Sequence, residues 1–281
     1  MVSTLLSYLR QRPTSAVALV VLVLLALVAV FAPLLAPHDP NQTNLIRQFE
    51  PPSPSSLFGT DELGRDLFSR VLYGGQTALL TALGAVALAA CVGIPLGLTS
   101  GFFGSWVDAL TMRIIDVLLA IPAILIALGL IAMFGRGTLN VIVAVGIVNI
   151  PAFARLTRAT TLVVKEHDFV RATQAMGAGY GYVLVRTILP NAVGPILVQM
   201  AVTGATAILL ASALSFLGLG IQPPTSDWGT MLSIGRQHLF EAPWYGIFPG
   251  LAIALTVYAL DELSRALQDL LGTRTRAELS L

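Results

Sequence analysis

Apolar residues in this chain fall into long runs separated by short polar breaks. Runs of about 20 apolar residues recur, each long enough to cross a hydrocarbon core of about 30 Å as a helix. The pattern predicts six spans, at roughly 16 to 36, 78 to 100, 114 to 134, 139 to 154, 192 to 219 and 244 to 260. The second, third and sixth rest on length alone. The first follows Arg10 and Arg12, and its apolar stretch exceeds the core of about 7 to 15 residues of a cleaved signal peptide, so an uncleaved signal anchor is expected. Composition agrees with this reading: 56% hydrophobic residues, 11% charged residues and a mean hydropathy of +0.82 exclude a soluble domain. The fold class is an all-α polytopic membrane protein.

Charge sets the orientation. With the N-terminus inside and six crossings, the inner side collects Arg10, Arg12, Arg113, Arg155, Arg158, Lys165, Arg171, Arg186, Arg265, Arg274 and Arg276. The outer side receives Arg47, Arg65, Arg70, Arg136 and Arg236. This satisfies the positive-inside bias and places both termini, and the polar stretch from Arg155 to Pro190, in the cytoplasm.

Several chemistries are excluded. Cys91 is the sole cysteine and is expected as a packing residue in the second span, so no disulfide framework arises within the chain. His38, His167 and His238 are far apart and fall on opposite sides, which argues against a metal site. The sole lysine, Lys165, follows a valine and no Gly-rich loop, so ATP cannot be held in a Walker-type cradle. The His-Glu-x-x-His pattern is missing, and Gly97-Leu98-Thr99-Ser100-Gly101 has the wrong spacing for a nucleophile turn. No catalytic residue, resident cofactor or nucleic-acid partner is expected.

The polar stretch has its own logic. Asp168 is expected to cap a short helix on which Phe169, Ala172 and Met176 share one face, with Gly177 closing it in the left-handed region. Gly179 and Gly181 permit a turn, a second short helix is expected from Tyr182 to Leu189, and Pro190 suits the first turn of the fifth span. By pattern alone, this unit is either an amphipathic loop lying at the interface or a docking surface for a soluble partner.

This segment resembles the cytoplasmic coupling (EAA) loop of ATP-binding-cassette importer permeases. Gly177 and Leu189-Pro190 stand at the family separation, and Ala172 matches the middle of the Glu-Ala-Ala triplet, while Arg171 replaces its glutamate and Thr173 its last alanine. Further along the chain, Phe58-Gly59-Thr60-Asp61-Glu62-Leu63-Gly64-Arg65-Asp66, Ser215 to Pro224, Trp228-Gly229 and Ala242-Pro243-Trp244 are similar to the C-type permease of dipeptide, oligopeptide and nickel importers. Trp106-Val107-Asp108 and Met112 to Asp116 extend that similarity.

The resemblance implies a type I importer (MetI-like) permease fold. It divides the chain into 1–72 (cytoplasmic N-terminus, first helix and outer loop), 73–272 (permease domain, with the coupling loop at 155–190) and a cytoplasmic tail at 273–281. It implies a non-catalytic subunit of the bacterial inner membrane that forms half of a path for short peptides. Its partners would be a homologous B-type permease, two cytoplasmic ATPases holding ATP and Mg²⁺, and an external binding protein. Nickel chelates or glutathione-like molecules are the alternative cargoes. The coupling residues carried over are Asp168, Phe169, Val170, Arg171, Ala172, Thr173, Met176, Gly177, Leu189 and Pro190.

Other candidate sites are weighed on local chemistry. Asp61, Arg65 and Asp66, with Trp228, are candidates for binding-protein contact, against a solvated charged rim. Arg113 and Asp116, three apart, are expected to pair on one helix face, either as a structural pair or as a gate. Asn149, Gln199 and Thr203 are candidate pore groups, or simple interhelical hydrogen bonds, and Pro122 and Pro151 are expected to kink their helices. An ion-coupled secondary transporter is the alternative from another class. It would want midplane carboxylates, which the span centres lack.

Overall fold

The computed structural model describes residues 12–278, and among them the chain is helices and loops with no named strand. Arg10 and the tail at 279–281 lie outside the described residues, as do the side chains of Arg274 and Arg276. Helix α1 (Pro13–Val30) and the short α2 (Ala32–Leu35) lead into an outer loop. Next come α3 (Leu67–Phe103), α4 (Ser105–Ala120), α5 (Ala123–Phe134) and α6 (Thr138–Val164). The short α7 (Asp168–Ala175), α8 (Tyr180–Phe216), α9 (Trp228–Gly235) and α10 (Trp244–Glu278) complete the chain.

Four of these helices, α3, α6, α8 and the Trp244–Leu270 part of α10, are long and apolar enough to cross a membrane singly. The expected third span at 114–134 is instead two helices bent by 90°. The reason is local: Pro122 has no N–H to donate, and Ile121 before it is driven into extended backbone at φ −103°, ψ 132°. Pro151, by contrast, is accommodated inside α6, which carries Arg155 and Arg158 as helical residues and ends at Val164 instead of 154. The expected separate helix from Tyr182 to Leu189 is likewise merged into α8. A π-helical stretch at Val183–Ile188 precedes Pro190, with the Leu189 N–H bonded to the Leu184 carbonyl.

The α3·α6 pair is the centre of the chain. Gly93, Gly97 and Gly101 recur every four residues, so they line one stripe of α3 and let α6 approach to backbone contact. A Cβ on Gly97 would lie 2.5 Å from the Ala154 carbonyl oxygen, and one on Gly93 2.6 Å from Phe153 Cβ. On the other side, α8 packs against α3, α6 and α10. Cys91 lies two residues before Gly93 on the exposed side of α3, so it is not the packing residue expected.

Two long-range contacts fix which ends share a side. Arg12 pairs with Asp269 at 2.9 Å and Ser15 donates to Glu262 at 2.9 Å, so the start of α1 and the late part of α10 lie together. At the other end, Tyr245 of α10 bonds Glu62 of the outer loop, and the Phe49 ring lies tilted against His238 with centroids 4.5 Å apart. By charge, the first end, with Arg155, Arg158, Lys165, Arg171 and Arg186, is the inner one.

Candidate functional site

At the inner end, α7 joins α6 to α8. Asp168 does not cap it: the residue before the helix is His167, and Asp168 occupies the first turn, where its charge opposes the positive helix end. One face of α7 is seated. Val170 is fully buried in a cluster with Leu98 of α3, Val164 of α6 and Val183, Leu184 and Ile188 of α8. The other face is open: Phe169, Ala172 and Met176 are exposed, with Met176 at 80%. Gly177 takes φ 83°, and the N–H of Ala178 returns to the Thr173 carbonyl at 3.3 Å, closing the helix in a Schellman-type cap. Arg171 is on the exposed side and pairs with Glu166 at 2.7 Å. Leu189 packs at the edge of the Val170 cluster, and Pro190 beside it is exposed at the root of α8.

The inner ends of the spans are tied together by charge. Asp108 of α4 receives both Nε and Nη2 of Arg158 at 2.5 Å each, and the Ser100 hydroxyl at 2.7 Å. Lys165 donates to the Gly101 carbonyl at 2.9 Å, satisfying the end of α3. The expected Arg113–Asp116 pair is not formed; Asp116 pairs with Arg155 of α6 at 2.5 Å. A neighbour three positions away on one helix loses here to an arginine on a packed helix. No local pattern marks Asp108 with Arg158, because the partners are 50 residues apart in sequence.

Near the α4–α5 break a recess of about 360 Å³ is lined by Ala123, Val148, Asn149, Thr206, Leu209 and Leu210. Asn149 donates to the Val145 carbonyl of its own helix at 2.8 Å, leaving its amide oxygen for other partners. Gln199 donates to Thr203 at 3.1 Å within α8, and Thr203 is fully buried, so Thr203 offers no surface to a pathway. The polar residue that joins Asn149 at the recess is Thr206.

The outer loop corrects the remaining expectation. Asp61, Arg65, Asp66 and Trp228 are all buried, so they build the loop and present no docking face. Asp61 accepts from Arg65 Nε at 2.6 Å and lies 3.5 Å from Arg70 Nε, Glu62 holds Arg65 at 2.9 Å, and Asp66 caps α3 through Ser69 at 2.8 Å. Trp228 donates to the Val71 carbonyl at 2.9 Å and fills the space above Gly74.

Trp228 opens α9, which Asp227 caps by accepting from the Thr230 N–H at 2.8 Å. Burial holds the Asp227 carboxyl above its usual range, against the pull of its bonds to Thr230 and Ser215. With the folded value raised, this group favours folding at low pH, and that contribution is lost as pH rises through the ordinary carboxylate range towards the folded value. Asp227→Asn keeps an N-cap acceptor without the charge. It is expected to raise the unfolding temperature of the detergent-purified protein at mildly alkaline pH, with the gain shrinking on acidification, whereas Asp227→Ala costs about 1 kcal/mol. A gain that did not depend on pH would show that burial of the charge is not the cause.

Comparison with known proteins follows the same lines. Residues 93–277 match the family model of the binding-protein-dependent transport system inner membrane component, and residues 4–52 match the N-terminal TM domain of oligopeptide transport permease C. The chain is 39% identical to the dipeptide transport system permease protein DppC of Alkalihalophilus pseudofirmus, over 96% of this chain and 88% of the relative. It is 40% identical to the probable D,D-dipeptide transport system permease protein DdpC of Escherichia coli K12, over 97% and 91%. To the glutathione transport system permease protein GsiD of Pectobacterium atrosepticum it is 42% identical, over 96% and 90%. Among solved structures, an inward-facing MetNI methionine ABC transporter chain aligns with a TM-score of 0.56 at 18% identity, covering 72% of this chain and 97% of that one, which identifies the type I importer permease fold. On its sequence, its helical architecture and these relatives, the chain belongs to the family of inner-membrane components of binding-protein-dependent transport systems, and is a non-catalytic permease subunit.

Proposed function

We propose that this permease forms half of an ATP-driven import path for short peptides across a bacterial cytoplasmic membrane. Its partners on this reading are a homologous B-type permease, two cytoplasmic ATPases that hold ATP and Mg²⁺, and an external binding protein that delivers cargo. The observation that carries it is α7, a short helix between two spans with Val170 seated on the ends of α3, α6 and α8 and with Phe169, Ala172 and Met176 facing outward. A partner that grips the outer face displaces the inner ends of three membrane helices at once, because close-packed side chains transmit displacement instead of absorbing it. Relatives named for dipeptides support the cargo, and uncharged Asn149 and Thr206 at the recess suit peptide amides. Glutathione is the second reading, favoured by the 42% identity to a glutathione permease, and it is itself a short peptide.

The test is the purified complex in liposomes, with ATPase activity measured against the binding protein loaded with a dipeptide, glutathione or a nickel chelate. Stimulation by the dipeptide form is expected. Phe169→Asp combined with Met176→Asp is expected to strip the ATPases from the complex, and Gly177→Pro to abolish stimulation, since proline cannot adopt φ 83°. If no ATPase co-purifies with the unaltered chain, the importer reading fails; stimulation by glutathione alone replaces the cargo.

A further inference from the structure

The bent pair α4–α5 is held in an unequal way. Helix α5 is anchored by packing: Ala127 and Ile131 are buried with Val141, Ala144 and Val145 of α6 and Ala207 and Ala211 of α8. Helix α4 is not. Among the described residues Ile115 is its one fully buried side chain, and five of its large apolar residues face outward, Trp106, Leu110, Ile114, Val117 and Leu119, with Trp106 at 72% and Val117 at 59% exposure. Such a helix has little packing of its own to hold it against the bundle.

What holds α4 is charge. Asp108 is gripped in two-point fashion by Arg158 and oriented by the buried Ser100, while the second pair, Asp116 with Arg155, is more than half exposed on both partners, at 57% and 53%. An exposed pair contributes little, whereas a two-point guanidinium–carboxylate contact that is only 32% and 21% exposed has fixed geometry. Arg158 lies two turns before Val164, which packs on Val170 of α7, and Lys165 next to it is bonded to the end of α3. Helix α4 thus joins the α7 cluster at one end to the 90° break, and so to α5 and the recess, at the other.

We infer that Asp108 and Arg158 are the positioning pair that makes α4 a lever, carrying displacement of α7 into the broken α4–α5 segment and the recess beside it. The inference rests on α7 being the ATPase-coupling helix, as proposed above. Neither residue touches cargo on this account; they act through the position of α4.

The experiment uses the complete transporter in liposomes, with its partner permease, ATPases and binding protein, and reads cargo moved per ATP hydrolysed. The double variant Asp108→Asn with Arg158→Gln removes the ion pair without leaving a lone charge, so assembly with the ATPases is expected to be retained. Its transport ratio is expected to fall about tenfold, the size of a strong pairwise coupling. The reversed pair, Asp108→Arg with Arg158→Asp, is expected to recover most of that loss by restoring the contact, and because the ratio is read only in assembled complexes that hydrolyse ATP, a loss of folded protein does not enter it. An assembled neutral double variant that keeps the unaltered ratio overturns the inference, as does an assembled reversed pair that transports no better than the neutral one. Failure of the ATPases to bind the unaltered permease is a separate result, read before any variant is made, and it removes the coupling role of α7 itself.

Discussion

Leucine in place of Gly97 is expected to leave almost no folded permease in the membrane. A Cβ at this position would meet the Ala154 carbonyl oxygen at 2.5 Å, Thr157 Cβ at 2.6 Å and the Arg158 backbone nitrogen at 2.8 Å. Two of these three atoms are backbone of a packed helix, so no rotamer change makes room and α6 itself must move. Overpacking a core usually costs about 1–3 kcal/mol through side chains that can shift, and here the obstacle cannot shift without separating the central helix pair. Gly93 and Gly101 on the same stripe transmit that separation along α3. Gly129 in α5 is the control, with nothing within 4 Å of an added Cβ, and Gly129→Ala is expected to be silent. The measurement is the yield of monodisperse protein from membranes and its apparent melting temperature. A Gly97→Leu protein with unaltered yield would show that α3 and α6 are not held at backbone distance.

Alanine at Asp61 is expected to be nearly as damaging, for an electrostatic reason. Asp61 is fully buried, and its carboxylate receives the backbone N–H groups of Leu63 and Arg65 at 2.9 Å each, Arg65 Nε at 2.6 Å, and the nearby charge of Arg70. Without it, two buried guanidinium groups face each other with Glu62, on Arg65 at 2.9 Å, as the one carboxylate left to offset them both. Removing one member of a buried pair costs about 3–5 kcal/mol, against a total stability of about 5–15 kcal/mol for a typical domain. Asp39→Ala, an exposed carboxylate in the same loop, is expected to stay within about 0.5 kcal/mol. Thermal unfolding of both variants, together with titration of the binding protein, separates two explanations. Lost stability follows from the burial seen here, and a stable protein with weakened docking would restore Asp61 as a contact residue.

The outer loop is not a loose charged rim but a rigid cap. It is stapled to the outer end of α10 by Tyr245 on Glu62 and by stacking of Phe58 on Phe248 at 3.8 Å. A binding protein docking there would press on a loop that moves with α10. At the inner end, α7 is packed on α3, α6 and α8 through Val170. The outer loop and α7 are therefore each packed on spanning helices of one bundle, which is the arrangement the proposed import path calls for.

Much of this was legible in the chain before folding. Hydrophobic length determines that it lies in a bilayer, because an apolar run of that length is stable nowhere else and must satisfy its backbone within a helix. The arginine distribution determines which side is which. The polar stretch predicts a short helix ending at Gly177, since only a glycine takes φ 83° without strain, and that ending is observed. What the chain could not reveal is how spans break and which charges meet. Pro122 and Pro151 look alike in sequence, yet one breaks its span by 90° and the other sits inside α6, because the surrounding packing decides whether a missing hydrogen bond is tolerated. Asp61, Arg65 and Asp66 read as solvated charges until α10 and the outer loop close over them. Asp108 finds Arg158, and Asp116 finds Arg155, 50 and 39 residues away. Local rules compare neighbours on one helix, whereas ion pairs form wherever packed helices bring opposite charges within reach. The sequence by itself determined the solvent, the charge bias between the two ends and the short helix that ends at Gly177; the tertiary structure alone decided the burial of the outer charges, the break at Pro122 and the clasp on α4.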